Sequence, residues 1–169
     1  DEFFEFQEPT IGAAFQTKSI HTDNGFIVKM EFWDTAGQER YKALAPMYYR
    51  GAKAAFIVYD ITNKDTLQKA KFWIGEVTRK GEPGCILVLL GNKLDIPNRQ
   101  IEYEEVSSFV KINNIMFAEV SAKTGQNINN IMTDVAKELA LKNPSQDIKP
   151  ESFTISHKTN KTNKLYGCC

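Results

Sequence analysis

Hydrophobic positions along the chain follow two kinds of pattern. In the first, apolar and polar residues alternate. Ala13 to His21 has the character of a strand, and from Phe26 to Trp33 the residues Phe26, Val28, Met30 and Phe32 share one face. Between them Asp23-Asn24-Gly25 supplies a hairpin turn, because Asn-Gly adopts positive φ at little cost. In the second kind the apolar residues are continuous: Ala54 to Tyr59, closed by Asp60; Cys85 to Leu90, closed by Gly91-Asn92; and the shorter Ile115 to Val120. Runs without alternation predict strands buried on both faces, as in a parallel sheet.

Helical spacing fills the intervals. Leu67, Ala70, Ile74 and Val77 lie on one helix face, with Asn63 or Asp65 as candidate cap. Val106, Phe109 and Val110 mark a second helix, and Ile128, Ile131, Met132, Val135 and Leu139 a third, which ends before Asn143-Pro144. Strands alternating with helices predict an α/β domain with a largely parallel sheet. Beyond Asn143 the chain turns to Ser, Thr, Asn and Lys, with Pro144 and Pro150, the composition of a disordered tail. The expected division is therefore a folded domain over 1–142 and a tail over 143–169.

Composition narrows the function. With 169 residues and 42% hydrophobic content the chain can bury one real core, and 21 basic against 21 acidic residues give no global pull toward nucleic acid. No apolar stretch is long enough to span a bilayer, and the start of the chain has neither the basic region nor the apolar core of a signal peptide. The three cysteines, Cys85 in an apolar run expected to be core and Cys168 with Cys169 at the end, form neither a disulfide pattern nor a zinc pattern, which fits a reducing compartment.

Candidate chemistry follows the strands, since α/β sheets bind ligands at the carboxyl ends of their parallel strands. Asn92-Lys93-Leu94-Asp95 follows the second continuous run. A carboxylate there can accept two hydrogen bonds from adjacent N–H donors, a pair that guanine presents and adenine does not. Asp95 is the candidate reader, Lys93 can cover the ring, and Asn92 can tie neighbouring loops. The same residue types are also common in ordinary turns. Ser121-Ala122-Lys123 closes the third run. At the end of the hairpin, Asp34 can hold a magnesium ion through water, Gly37 lets a backbone N–H approach a phosphate, and Gln38 can orient an attacking water. Thr10 can add its hydroxyl to the same ion.

Taken together, Asp34-Thr35-Ala36-Gly37-Gln38-Glu39, Asn92-Lys93-Leu94-Asp95 and Ser121-Ala122-Lys123 resemble, in order, the signature set of Ras-superfamily GTPases. Trp33 to Tyr41, Tyr48-Tyr49-Arg50-Gly51-Ala52 and Tyr59-Asp60-Ile61-Thr62 resemble the Rab branch. Ile11 to Phe15 and Leu44 to Tyr49 resemble its early-endosomal members. The resemblance implies a P-loop NTPase-type, Ras-like three-layer fold, a sheet with helices on both faces. It further implies a GTP/GDP switch in vesicular membrane traffic with Mg2+ as cofactor. Thr10 would sense the terminal phosphate and the metal, Asp34 the metal, Gly37 the phosphate, and Gln38 the hydrolytic water. Asn92, Lys93, Asp95, Ser121, Ala122 and Lys123 would bind the base. Phe15, Trp33 and Tyr48 would form the surface read by effectors, although aromatic residues in such positions also serve as core. Cys168 and Cys169 would carry geranylgeranyl groups, two lipids giving stable anchoring where one does not. Lys158, Lys161 and Lys164 add charge toward anionic lipid. The implied partners are effectors, an exchange factor, a GTPase-activating protein, and a GDP-dissociation inhibitor or escort protein. The implied location is the cytoplasmic face of endosomal and vesicle membranes, with cycling through cytosol.

The sequence departs from the family in one respect. Gly-x-x-x-x-Gly-Lys-Ser/Thr, the phosphate-binding loop, does not occur in it, and the chain begins at Asp1 rather than Met. The expectation is that the family's first strand, P-loop and first helix are missing. That strand lies between the strand ending at Asp34 and the strand ending at Asp60, so its loss exposes two strand edges. If the natural chain lacks the loop, the alternative is a nucleotide-independent protein that competes for Rab partners. A metabolic enzyme is disfavoured because there is no Gly-x-Gly-x-x-Gly and the histidines are confined to His21 and His157.

Overall fold

A computed structural model describes residues 3–4 and 8–142 of the chain, with only the backbone of Glu39. The tail predicted over 143–169, including Cys168 and Cys169, lies outside the described residues.

Strands β1 (Ala13–His21) and β2 (Ile27–Thr35) form an antiparallel hairpin in which Ala14 faces Asp34 and Phe15 faces Trp33. Gly25 takes φ +79° at the turn, and Thr22 closes it: its N–H donates to Phe26 O at 2.9 Å, and its hydroxyl accepts from Phe26 N at 3.1 Å. After β2 come a 3₁₀ stretch (Glu39–Leu44) and the short helix α1 (Ala45–Tyr49). No hydrophobic period marks them, since they are too short to repeat one, and Pro46 in the first turn is their one local signal.

The remaining elements alternate: β3 (Ala54–Asp60), α2 (Lys64–Lys80), β4 (Ile86–Asn92), α3 (Tyr103–Ile112), β5 (Met116–Glu119) and α4 (Ile128–Lys142). The three strands are parallel, in the order β3-β4-β5. Asn63 caps α2 by accepting from Asp65 N at 3.0 Å, and the helix buries Leu67, Ala70, Ile74 and Val77.

Two cores result. On one face Ile57, Tyr59 and Leu89 meet Leu67, Ala70 and Ile74 of α2 and Val106 and Val110 of α3. On the other, Ile86 and Val88 meet Ile131, Val135 and Ala136 of α4, and the same cluster takes in Ile20 and Met30 of the hairpin. Helices thus cover both faces, as expected of a Ras-like α/β fold. Cys85 is a correction in degree, being half-buried just before β4 rather than a core residue.

The sheet comes in two pieces. The hairpin and the three-stranded sheet are separate, so among the described residues β2 has no strand partner beyond β1 and β3 none beyond β4. Side chains cross the gap where hydrogen bonds do not: the Phe32 and Phe56 rings lie 6.1 Å apart, and Lys137 Nζ of α4 meets Asp23 Oδ2 of the hairpin turn at 2.7 Å. Val58 is 56% exposed although its neighbours Ile57 and Tyr59 are buried, so this part of the β3 face is uncovered. Among the described residues no strand lies between β2 and β3, the position at which a strand is expected, from the sequence, to be missing.

Tyr59 and Gly91 are opposed on β3 and β4, and a Cβ at Gly91 would lie 2.7 Å from Tyr59 Oη. That hydroxyl is buried with no hydrogen-bond partner. Gly91→Ala is expected to cost about 1–3 kcal/mol by overpacking. Tyr59→Phe removes an unsatisfied buried group and is expected to be neutral or stabilising by up to ~1 kcal/mol. Urea unfolding of the two variants checks both signs. Residues 1–169 on their own are expected to self-associate through the unpaired edges of β2 and β3. Light scattering showing a monodisperse monomer would contradict this.

Candidate functional site

The carboxyl ends of β4 and β5 carry two loops joined by side chain and backbone. Asn92 Oδ1 accepts the Ala122 N–H at 3.0 Å, and Leu94 N donates to Val120 O at 3.0 Å. Ser121, fully buried, donates its hydroxyl to Asp95 Oδ1 at 2.6 Å and accepts from Thr124 N at 3.1 Å. Asp95 itself is exposed, as are Ala122 and Lys123, so the carboxylate is held from beneath and open above. Five of the six residues assigned to base binding, Asn92, Lys93, Asp95, Ser121 and Ala122, take part in interactions that bind the ends of β3, β4 and β5 together. Lys123 follows them on the same exposed loop.

Lys93 has φ +71°, uncommon for a residue with a Cβ. Its ammonium reaches Asp60 Oδ2 at 2.7 Å, which brings in the end of β3. Asp60 Oδ1 accepts from Thr62 N at 2.8 Å and from Thr62 Oγ1 at 2.7 Å. Burial pushes the Asp60 carboxyl upward, but the hydrogen bonds from Lys93 and Thr62 outweigh it and hold the group below the usual aspartate range. In the sequence Asp60 ends an apolar run and belongs to the Tyr59-Asp60-Ile61-Thr62 stretch, and neither assigns it a role at the site. Its partnership with Lys93 spans 33 residues and follows from the parallel pairing of Asp60 with Asn92.

The second group sits on the hairpin. Thr10 Oγ1 donates to Asp34 Oδ2 at 2.9 Å, so the two candidate metal ligands are brought together across 24 residues. Ala36 N donates to Gly12 O at 2.9 Å, extending the β1–β2 ladder and holding the start of the following loop. Gly37 is exposed, and a Cβ there would meet nothing within 4 Å, so protein packing does not require glycine at this point. Gln38 is half-buried at the start of the 3₁₀ stretch. One carboxylate with one hydroxyl suits magnesium, which keeps several waters and takes further oxygens from phosphate. No group of three or more His, Cys, Asp or Glu residues is placed to hold a metal among the described residues. The described residues include no loop that cradles phosphate.

On the outer face of the hairpin, Phe15 and Trp33 stack with centroids 5.0 Å apart, and Trp33 meets Tyr48 of α1 at 5.5 Å. Phe15 is 49% and Trp33 55% exposed, so they form a surface rather than a core. Cross-strand opposition of Phe15 and Trp33 explains the pair, and α1 adds the third ring. Sequence reasoning missed Arg99 and Glu119 altogether. Arg99 donates from Nη1 to Glu119 Oε1 at 2.7 Å and from Nη2 to Oε2 at 2.6 Å, beneath the two base-site loops.

Comparison with known proteins gives the family of the chain. The model of the Ras family matches residues 1–141. The chain is 44% identical over 169 residues, 99% of its length and 83% of the relative's, to a Ras-related protein Rab5 of Nicotiana tabacum.

The Asp60–Lys93 pair makes a pH prediction. A carboxyl held below its unfolded value stabilises above that value, about 3.9, and loses its contribution as pH falls through the folded one. Asp60→Asn is therefore expected to lower the melting temperature at pH 7, with the deficit closing below about pH 4. Melting curves of both proteins across pH 3–7 would show a constant deficit if the ion pair contributes nothing.

Proposed function

The chain belongs to the Ras family as a Rab-type small GTPase of the early-endosomal branch, and from that premise we propose that it is a GTP/GDP switch of endocytic membrane traffic. Intact proteins of this family hydrolyse GTP, bind guanine nucleotide with Mg2+, and act in membrane traffic. The observation that supports the finer reading is Asp95, exposed yet fixed by the buried Ser121 hydroxyl at 2.6 Å, with Asn92 and Lys93 tying the loops beside it.

In this reading Asp95 accepts from N1–H and the 2-amino group of guanine. Lys93, Asn92, Ser121, Ala122 and Lys123 shape the walls of the base site. Thr10 and Asp34 are the residues to hold magnesium, which when bound offsets phosphate charge. Gly37 gives its N–H to the terminal phosphate, and the open space around it suits a close approach by ligand. Gln38 orients the attacking water. Loss of the phosphate contacts after hydrolysis releases Thr10 and Gly37, so the two loops relax and the adjoining Phe15–Trp33–Tyr48 surface changes. Effectors reading that surface, an exchange factor, a GTPase-activating protein and a lipid-shielding inhibitor or escort are the partners this cycle needs. Residues 1–142 are the nucleotide domain. Residues 143–169 are the tail, whose Cys168 and Cys169 take geranylgeranyl groups and place the protein on the cytoplasmic face of endosomal membranes.

Nucleotide binding by the full-length protein tests the reading. Asp95→Asn replaces an acceptor with an amide donor that matches the 2-carbonyl of xanthine. GDP affinity is expected to fall at least about tenfold and affinity for xanthosine diphosphate to rise. Gln38→Leu is expected to leave GTP binding intact and to slow single-turnover hydrolysis by roughly a hundredfold. Unchanged base preference in the first variant would refute the assignment of Asp95, and unchanged hydrolysis in the second that of Gln38. Because residues 1–169 contain no Gly-x-x-x-x-Gly-Lys-Ser/Thr, this stretch alone is expected to bind GTP weakly and not to turn it over. Nanomolar binding in a titration of that polypeptide would overturn the expectation.

A further inference from the structure

Asp95 lies on the connection from β4 to α3, and the middle of that connection is exposed: Ile96, Pro97 and Asn98 all face solvent. Ahead of this stretch the chain is fixed by Leu94 N to Val120 O at 3.0 Å. Behind it, Arg99 turns inward. Its guanidinium makes a two-pronged pair with Glu119, whose side chain is 9% exposed, and Nη1 also donates to Ile101 O at 2.8 Å. Glu119 is fixed in turn, since it pairs with Gly91 across β4–β5 and its carbonyl accepts from Asn127 Nδ2 at 2.8 Å. Two residues further along is Ser121, the hydroxyl that holds Asp95.

The ion pair therefore closes a ring through the two loops: Asp95 to Ser121, back along the chain to Glu119, across to Arg99, and back to Asp95. A bidentate guanidinium–carboxylate pair fixes orientation as well as distance. The low exposure of Glu119, 9% against 25% for Arg99, gives it further weight, because loss of the guanidinium leaves an uncompensated carboxylate away from solvent. We propose that the Arg99–Glu119 pair is a positioning element for base recognition, setting the Asp95 carboxylate against the Ser121 loop so that both its oxygens meet guanine. This rests on the guanine reading given above. Neither Arg99 nor Glu119 touches the base. Their effect is on how well the 2-amino group is read.

Comparing GDP with inosine diphosphate, which lacks that amino group, isolates the effect. In the full-length protein the wild type is expected to prefer GDP. Arg99→Met combined with Glu119→Leu replaces the part-buried pair by apolar side chains, an exchange that folds tolerate. The double variant is expected to melt near the wild type while its preference for GDP over inosine diphosphate drops by roughly tenfold, the scale of one hydrogen bond to a charged group. Arg99→Lys, which keeps the charge but not the fork, is expected to fall between. If the double variant melts early, Glu119→Gln carries the same comparison. An unchanged preference, or an equal loss of affinity for both nucleotides, would overturn the positioning role. A wild type that binds both equally would instead overturn the assignment of Asp95 as guanine reader.

Discussion

The arrangement of this domain depends on the apolar face of one helix. Among the described residues no backbone hydrogen bond links the hairpin to the three-stranded sheet, so the two are joined through α4, whose Ile131, Val135 and Ala136 lie in one cluster with Ile20 and Met30 on one side and Ile86 and Val88 on the other. Val135 and Ala136 are fully buried. Hydrophobic contact is non-directional and tolerates the missing ladder. The Phe32–Phe56 contact and the Lys137–Asp23 pair add definition to a junction that would otherwise be free to slide.

Beneath that division the candidate site residues fall into two sets with different mechanical support. The set on β4 and β5 is tied by backbone, hydroxyl, amide and ion-pair contacts, several of them buried. The set around Thr10 and Asp34 lies at the exposed end of the two-stranded hairpin, where among the described residues the Thr10–Asp34 hydrogen bond and the Ala36–Gly12 continuation of the ladder hold it. Such an asymmetry suits the family's chemistry, in which the base is gripped throughout while the phosphate-sensing loops change state.

Much of this was legible in the sequence. The bounds of β1, the buried stripe of α2, its Asn63 cap and the faces of α4 follow from periodicity and capping, which are local. The two loops after β4 and β5 follow from strand ends, since a parallel sheet aligns the carboxyl ends of its strands, whereas the Asp34 loop leaves an antiparallel hairpin that is not part of that sheet. What stayed hidden was of two kinds. The 3₁₀ stretch and α1 are shorter than the period that would reveal them, and the half-burial of Cys85 depends on where β4 begins. Asp60, Arg99 and Glu119 acquire meaning only through partners far along the chain, 33 residues away for the first and 20 for the second pair. Charges of that sort look like ordinary loop or strand-end residues until the fold brings them together.

The uncovered side of β3 has a consequence for motion. Val58 looks outward from a strand that is sealed on its other face, and the neighbouring hairpin is attached along one side only. Opening the hairpin away from α4 breaks side-chain contacts but no inter-sheet ladder, whereas opening β4 disrupts hydrogen bonds on both of its flanks as well as two cores. The amide protons of β1 and β2 are therefore expected to exchange with solvent through a shallower excursion than those of β4, as in a domain of two cooperative units of unequal depth sharing a single helix.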